Sequence, residues 1–365
     1  MKQNYWVPAI IFSIFILLTG FCGCGERTGK QPVQSNRIQE NGIGLNSGTE
    51  KKLQLHFLDV GQADSTLVIF PDGETMLVDG GNEEDADTII QYLKDRNIHR
   101  IDYLVGTHPH EDHIGGLDEV VLAFPVKKVF LPGVTTTTES FEDLLLALSR
   151  KHLKANRAIA GTVIENQDGV EAVILSPQKK DYSNLNDWSV VIRIKYKNNA
   201  FLLTGDADSE VENELISSGD ELAADVLKVG HHGSRESTSS QFLEEVNPKY
   251  AVIEVGSGND YGHPHPETLA RLKANNVTVY RTDRDKTIIM TSDGSKIKVI
   301  GPAVPRSQKR EAKSQLTGYI GNRNSKKFHL PSCQSLPAPK NRVYFKTREE
   351  AVEAGYSPCG RCCGN

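Results

Sequence analysis

The sequence predicts an α/β layered domain that carries its chemistry on loops at one edge of its sheets. Two observations predict it. Between Leu53 and Ile300, apolar runs of strand length alternate with stretches of helical periodicity. At the ends of those strands, clusters rich in His and Asp recur. With 365 residues, there is room for one large and one small domain. The 38% hydrophobic and 24% charged residues are those of a soluble globular protein. A net charge of -5 speaks against a basic protein that coats nucleic acid. It leaves open an enzyme acting on phosphodiesters, because bound divalent cations supply positive charge that the count misses.

Residues 1–24 read as a lipoprotein-type signal peptide: Lys2, then an apolar run from Val7 to Leu18, then small residues and cysteines. That run is short for a spanning helix. Cys24, preceded by Gly23, is the better lipid acceptor, since Cys22 has the bulky Phe21 before it. An uncleaved membrane anchor is the alternative, and both readings export the rest of the chain. Residues 25–52 are polar, show little periodicity and read as a flexible linker.

The domain spanning 53–301 opens with "LQLHFLDVG" and "STLVIF", strands separated by Gly and Asp turns. "GETMLVDGG" is a short strand ending in Asp79-Gly80-Gly81, and "DADTIIQYLKDRNI" spaces Ile89, Ile90 and Leu93 as a helix does. "IDYLVGTH" is a buried strand that delivers "HPHEDHIGG". Later strands are "SVVIRIKY", "NAFLLTGD", "DVLKVGHHGS", "KYAVIEVG" and "IIMTSDGSKIKVI". The helices between them are "DSEVENELISSG", "SSQFLEEVN" and "PETLARLKANN".

His108, His110, Asp112 and His113 follow one strand end, Asp206 another, His231 and His232 a third, and His263 and His265 a fourth. Imidazole and carboxylate suit divalent cations such as zinc and manganese. His-x-His on a turn points two imidazoles at one ion, Asp112-His113 faces a second, and Asp206 bridges them. Two ions so placed hold a hydroxide nucleophile at neutral pH. A lone His-x-His is a weak signal. HxHxDH with Gly-Gly after it and a strand-end Asp beyond is a strong one.

These stretches resemble a metallo-β-lactamase-fold domain. "FLDVGQADSTLV", "MLVDGG", "LVGTHPHEDHIGG", "NDWSVVIRI", "FLLTGD", "LKVGHHGS" and "GHPHPETL" are similar to a narrower branch, the extracytoplasmic hydrolase domain of the ComEC/Rec2 competence proteins. The resemblance implies a four-layer αββα sandwich with a dinuclear site at one edge. It implies His108, His110, Asp112, His113 and Asp206 as metal ligands, with His263 as a further ligand and His231 as ligand or acid. His265, flanked by prolines, reads as a surface residue. Many members carry another His on the strand before the bridging Asp. Here "SNLNDWSVV" offers Asn184, Asn186, Asp187 and Ser189 instead, so the first ion is expected to be the weaker held. Asp112 positions the nucleophile, while Asp59 and Asp79 orient His ligands or simply make turns.

Residues 302–317 are a polar, basic linker. In 318–365, His329-x3-Cys333 and Cys359-x2-Cys362 have the spacing of a closed structural zinc site. "GYSPCGRC" resembles the metal-binding module of the Ada DNA-repair protein, with His329 where that module has a Cys. Two disulfides among Cys333, Cys359, Cys362 and Cys363 are the alternative in an oxidising compartment. Lys326, Lys327, Lys340, Arg342, Lys346, Arg348 and Arg361, with Tyr319, Phe328, Tyr344 and Phe345, form either a nucleic-acid holder or a solvated face over a small core.

The reading is therefore an exported hydrolase with two divalent ions and one structural zinc, acting on DNA or another phosphodiester. It is either tied to the membrane by an N-terminal lipid or secreted. An acyl substrate (lactam or thioester) and a non-catalytic, surface-anchored DNA binder are the alternatives.

Overall fold

The computed structural model describes residues 51–178, 181–300, 318–330, 333, 335–337 and 341–363. Cys22, Cys24, nearly all of the first linker, the second linker and Lys340 lie outside them. The described residues belong to one compact unit, Thr49–Asn365.

Two large sheets make the main domain. In spatial order the first contains Ile297–Ile300, Ile288–Ser292, Leu53–Phe57, Thr66–Ile69, Thr75–Val78, Ile101–Val105, Val126–Leu131 and Ala155–Arg157. The second runs Thr278–Arg281, Tyr250–Ile253, Val226–Lys228, Asn199–Leu203, Val191–Tyr196, Val170–Ser176 and Val163–Glu165. Side chains alternate across each strand, and both faces of the central strands are buried. On Thr75–Val78, Met76 and Val78 join the core between the sheets, while Leu77 joins a core on the outer face. That outer core contains Ile89 and Leu93 of helix Ala86–Asp95, Val120 of Leu117–Ala123 and Leu144 of Glu139–Arg150. A third core joins the second sheet to helices Ser209–Ser218, Ser240–Val246 and Pro266–Ala274. Helix, sheet, sheet, helix: this is the expected four-layer sandwich.

Four neighbouring strands of the first sheet (75–78, 101–105, 126–131, 155–157) are parallel, as are four of the second (199–203, 226–228, 250–253, 278–281). Their C-terminal ends therefore open at one edge, where loops gather ligand-bearing residues. Glycine makes one junction possible. A Cβ on Gly116 would lie 2.5 Å from the Gly80 carbonyl oxygen, and one on Gly115 2.6 Å from the Glu83 nitrogen. The turn after the histidine motif thus packs directly on the "VDGGN" loop.

The C-terminal module is a four-stranded sheet of Arg342–Phe345, Tyr319–Asn322, Lys327–His329 and Ser357–Pro358, with helix Arg348–Glu353 capped by the Thr347 hydroxyl. Its buried core is Phe328, Phe345, Ala351 and Tyr356, too little to hold such a module alone. Phe328 and Phe345 are therefore structural, while Tyr344 is 70% exposed.

Candidate metal centre

Ile101–Val105 ends in Gly106-Thr107, and the chain turns so that His110 precedes a single helical turn, Glu111–Ile114. His108 Nε2 lies 3.0 Å from His110 Nδ1 and 4.0 Å from Asp206 Oδ2. His113 Nε2 lies 3.2 Å from Asp206 Oδ1. Asp206 is fixed from behind: its backbone N–H donates to Ser189 Oγ, 3.0 Å away. Ser189 also sits 3.4 Å from His108 Nδ1, on the stretch where a further His was missing. A hydroxyl and an amide (Asn186, 3.3 Å from His231 Nδ1) stand there in its place.

Asp79 orients His113. Its Oδ2 accepts from His113 Nδ1 at 2.8 Å and from the Thr107 hydroxyl at 2.7 Å, while Oδ1 accepts from the Thr107 backbone N–H at 2.7 Å. The backbone of Asp79 is left-handed, φ 61°, a conformation held by those contacts. Asp59 does not share this role. Its carboxylate pairs with Lys286 at 3.0 Å and its N–H donates to Thr287, so it anchors a loop rather than a ligand.

Both His231 and His232 have φ 49°, an uncommon pair of left-handed residues. The turn throws them in different directions. His232 is buried, donates from Nδ1 to the Glu254 carbonyl at 3.0 Å, and brings Nε2 to 3.2 Å from Asp112 Oδ2. His231 is about a quarter exposed; its Nδ1 is 3.2 Å from Asp208 Oδ1, and its Nε2 is 3.8 Å from Asp206. His263, the residue favoured from sequence as ligand, stands on the outer wall. Its ring is 6.3 Å from that of His232 and stacked against Tyr261. His232 is thus the imidazole brought to Asp112 and His113, while His263 lines the cleft beside it with a buried Nδ1 that has no hydrogen-bond partner. The His265 ring nitrogen accepts from the Arg235 N–H, a structural contact.

Among the donor groups whose ligand atoms lie within 4.8 Å of one another are His108, His113 and Asp206, and Asp112, His113 and His232. His113 Nε2 and Asp206 Oδ1 are buried without a hydrogen-bond partner, which suits donors aimed at a cation. Electrostatics agree. Burial, together with His113, holds His108 well below the ordinary histidine range, in the neutral form that ligates. Burial opposes charge on His113 and His232 too, but Asp206 and its neighbouring carboxylates outweigh it. His113 is raised well above 6.5 and His232 to about 10. The carboxylates demand positive charge here, which a divalent ion supplies when bound. The residues present fit such ions.

Asp112, Asp206 and His232 of these groups line a cleft of about 700 Å³ with His110, His231, Glu84, Asp85, Glu111, Tyr261 and His263, and no lysine or arginine lines it. The Metallo-beta-lactamase superfamily model matches residues 58–256, more than half of the chain. The chain belongs to the metallo-beta-lactamase superfamily. Within that superfamily it is homologous to competence proteins. ComE operon protein 3 of Bacillus subtilis (strain 168) is 30% identical over 252 residues, covering 64% of this chain and 32% of that protein. Competence protein ComA of Neisseria gonorrhoeae is 32% identical over 227 residues (62% and 30%). Recombination protein 2 of Haemophilus influenzae is 32% identical over 225 residues (60% and 26%). The chain spans about a third or less of the length of these relatives.

The model for the metal binding domain of Ada matches residues 305–365. There His329, Cys333, Cys359 and Cys362 gather within 4.8 Å, His329 Nδ1 lying 3.4 Å from Cys333 Sγ. Three thiols and one imidazole converge on one point there, which fits the zinc reading. Cys363 stands beside the cluster, 3.6 Å from Cys362 Sγ.

The sequence reading missed Asp64, Lys228 and Glu254, all buried beneath the metal centre. Their signal was faint: a carboxylate in "GQADS", a lysine on an otherwise apolar strand, and a glutamate at the end of "YAVIE".

Proposed function

We propose that this protein is a metal-dependent phosphodiesterase acting on nucleic acid, exported and tethered by an N-terminal lipid. The observation that carries the reading is that two donor groups, one with Asp206 and one with Asp112, meet at His113 beneath a cleft that both carboxylates line. Divalent ions bound there supply a nucleophile at neutral pH and neutralise charge on phosphoryl oxygens. The chain's own residues do the rest. Asp112, held by His232, orients the attacking group, and Asp79 fixes the ring of His113. His231 faces the cleft with Nδ1 anchored on Asp208, so its Nε2 is placed to give a proton to the leaving oxygen.

A cleft without lysine or arginine has no side-chain clamp for a polyanion, and Glu84, Asp85 and Glu111 repel one. Affinity along a strand therefore falls to the C-terminal module, whose Lys326, Lys327, Lys346, Arg348 and Arg361 are exposed beside exposed Tyr344. The relatives' names, which speak of competence and recombination, point the same way. Among the described residues no helix is long and apolar enough to cross a membrane.

The test is cleavage of single- and double-stranded DNA by residues 49–365 with zinc or manganese, beside an Asp112→Ala control. Cleavage lost in the control supports the proposal. A metal-loaded protein that cuts neither substrate overturns the nuclease reading and turns attention to acyl substrates.

A further inference from the structure

Beneath the metal centre lies an ion pair that the proposed chemistry does not use. Lys228 and Asp64 are each about 3% exposed, and their charged atoms are in direct contact. The Lys228 ammonium also donates to the carbonyls of Gly205, at 3.3 Å, and Val229, at 3.2 Å. Gly205 immediately precedes Asp206, and Val229 leads through Gly230 into His231 and His232. Asp64 in turn is wired to both halves of the histidine motif. Its backbone N–H donates to the Asp112 carbonyl at 3.0 Å, and its carbonyl accepts from Gly81 at 2.9 Å. Its Oδ1 lies 3.3 Å from His232 Nδ1, and its Oδ2 3.8 Å from His113 Nδ1. One buried ammonium thus ties together the three loops that carry Asp112, Asp206 and His232.

We propose that Lys228, acting through Asp64, is the positioning residue of the metal centre: a fixed internal cation that sets the placement of His232 and the spacing of the Asp206 loop. This rests on the metal-centre reading and goes beyond it. The reason to assign function rather than stability is energetic. A buried ion pair gains little over apolar residues of similar volume, because desolvating both charges offsets their attraction. The strand of Lys228 does not need the pair to form: Val226–Lys228 is already flanked by parallel neighbours on both sides. What a methionine cannot do is hold two carbonyls and a carboxylate at once. Asp64 also places negative charge behind the Nδ1–H of His232, which strengthens Nε2 as a donor toward the Asp112 side.

The experiment compares wild type, Lys228→Met and the double variant Lys228→Met/Asp64→Asn as full chains, stripped by chelator and titrated with Co²⁺. The thiolate-rich module serves as reference, since its absorption is distinct from that of histidine and carboxylate ligands. Thermal melting is recorded alongside. Expected is an affinity loss of about 10–100-fold at the hydrolase-domain sites of both variants, the scale seen when residues supporting a metal ligand are removed. The reference site is expected to be unchanged and the double variant to melt no lower than wild type. A double variant that folds and binds Co²⁺ as wild type does would overturn the proposal and leave the pair a packing feature, even if Lys228→Met alone fails to fold. Wild type that takes up Co²⁺ only at the module would be a different result, removing the metal-centre reading itself and this proposal with it.

Discussion

The two metal-type clusters of this molecule are built on opposite plans. The C-terminal one is closed: three thiols and one imidazole from a chain segment with four buried core side chains. The other is open: imidazoles and carboxylates from three separate loops, facing a cleft and backed by a sandwich with three cores. In the first the cluster holds the fold; in the second the fold holds the cluster. A closed set of thiolates and one imidazole suits a structural ion, whereas carboxylates with a free side suit one that turns over substrate.

The comparison can be broken most decisively at the closed site. Cys359→Ser should unfold the module outright, because structural zinc contributes on the order of 10 kcal/mol to such small domains. Limited proteolysis would show cuts confined to residues 318–365 while the main domain melts normally; a module that stays protected would refute the zinc-held design. At the open site, His231→Gln should lower turnover by about 10²–10⁴-fold, the range for a positioned acid or base. Metal content and melting temperature should not move, and equal losses of metal would make His231 a ligand instead.

Acid separates the two regions as well. His56 is buried on strand Leu53–Phe57 with Nδ1 2.8 Å from the Tyr92 hydroxyl, and burial, with Arg96 nearby, depresses its pKa to about 4. The unfolded chain takes up its proton near pH 6.5 and the folded one near 4. The contribution of His56 is therefore intact above pH 6.5 and lost as pH falls toward 4, about 3 kcal/mol at most. Melting curves of wild type and His56→Gln should converge in that window; parallel curves would dispose of the idea. The smallest effect is expected for Asp79→Asn, which keeps the shape but weakens the hold on His113. Metal affinity should fall about 10–100-fold with the fold intact.

The layers and the histidine motif were legible because both depend on local pattern. Alternation over Thr75–Val78 marks a strand wherever it packs, and HxHxDH places its donors within six residues. Other assignments required the tertiary structure. Asp59 and Asp64 sit in one loop, yet one meets Lys286 and the other Lys228. His231 and His232 are adjacent, and only the left-handed turn decides which faces inward. Phe328 and Phe345 looked equally suited to stacking bases and to filling a core, and the core has them.

The contact between Gly115-Gly116 and the loop of Gly80-Gly81-Asn82 has a consequence for how this protein tolerates change. The two glycine pairs seat against one another with no space for a methyl group on either Gly80 or Gly116, where added carbons would meet Leu117 and the Gly80 carbonyl. The loop of Asp79 and the turn of His113 therefore behave as one mechanical part. A saturation screen for lost activity should flag these hydrogen-only positions as strongly as the histidines. They carry no chemistry, but an alanine at either would push Asp79 and His113 apart.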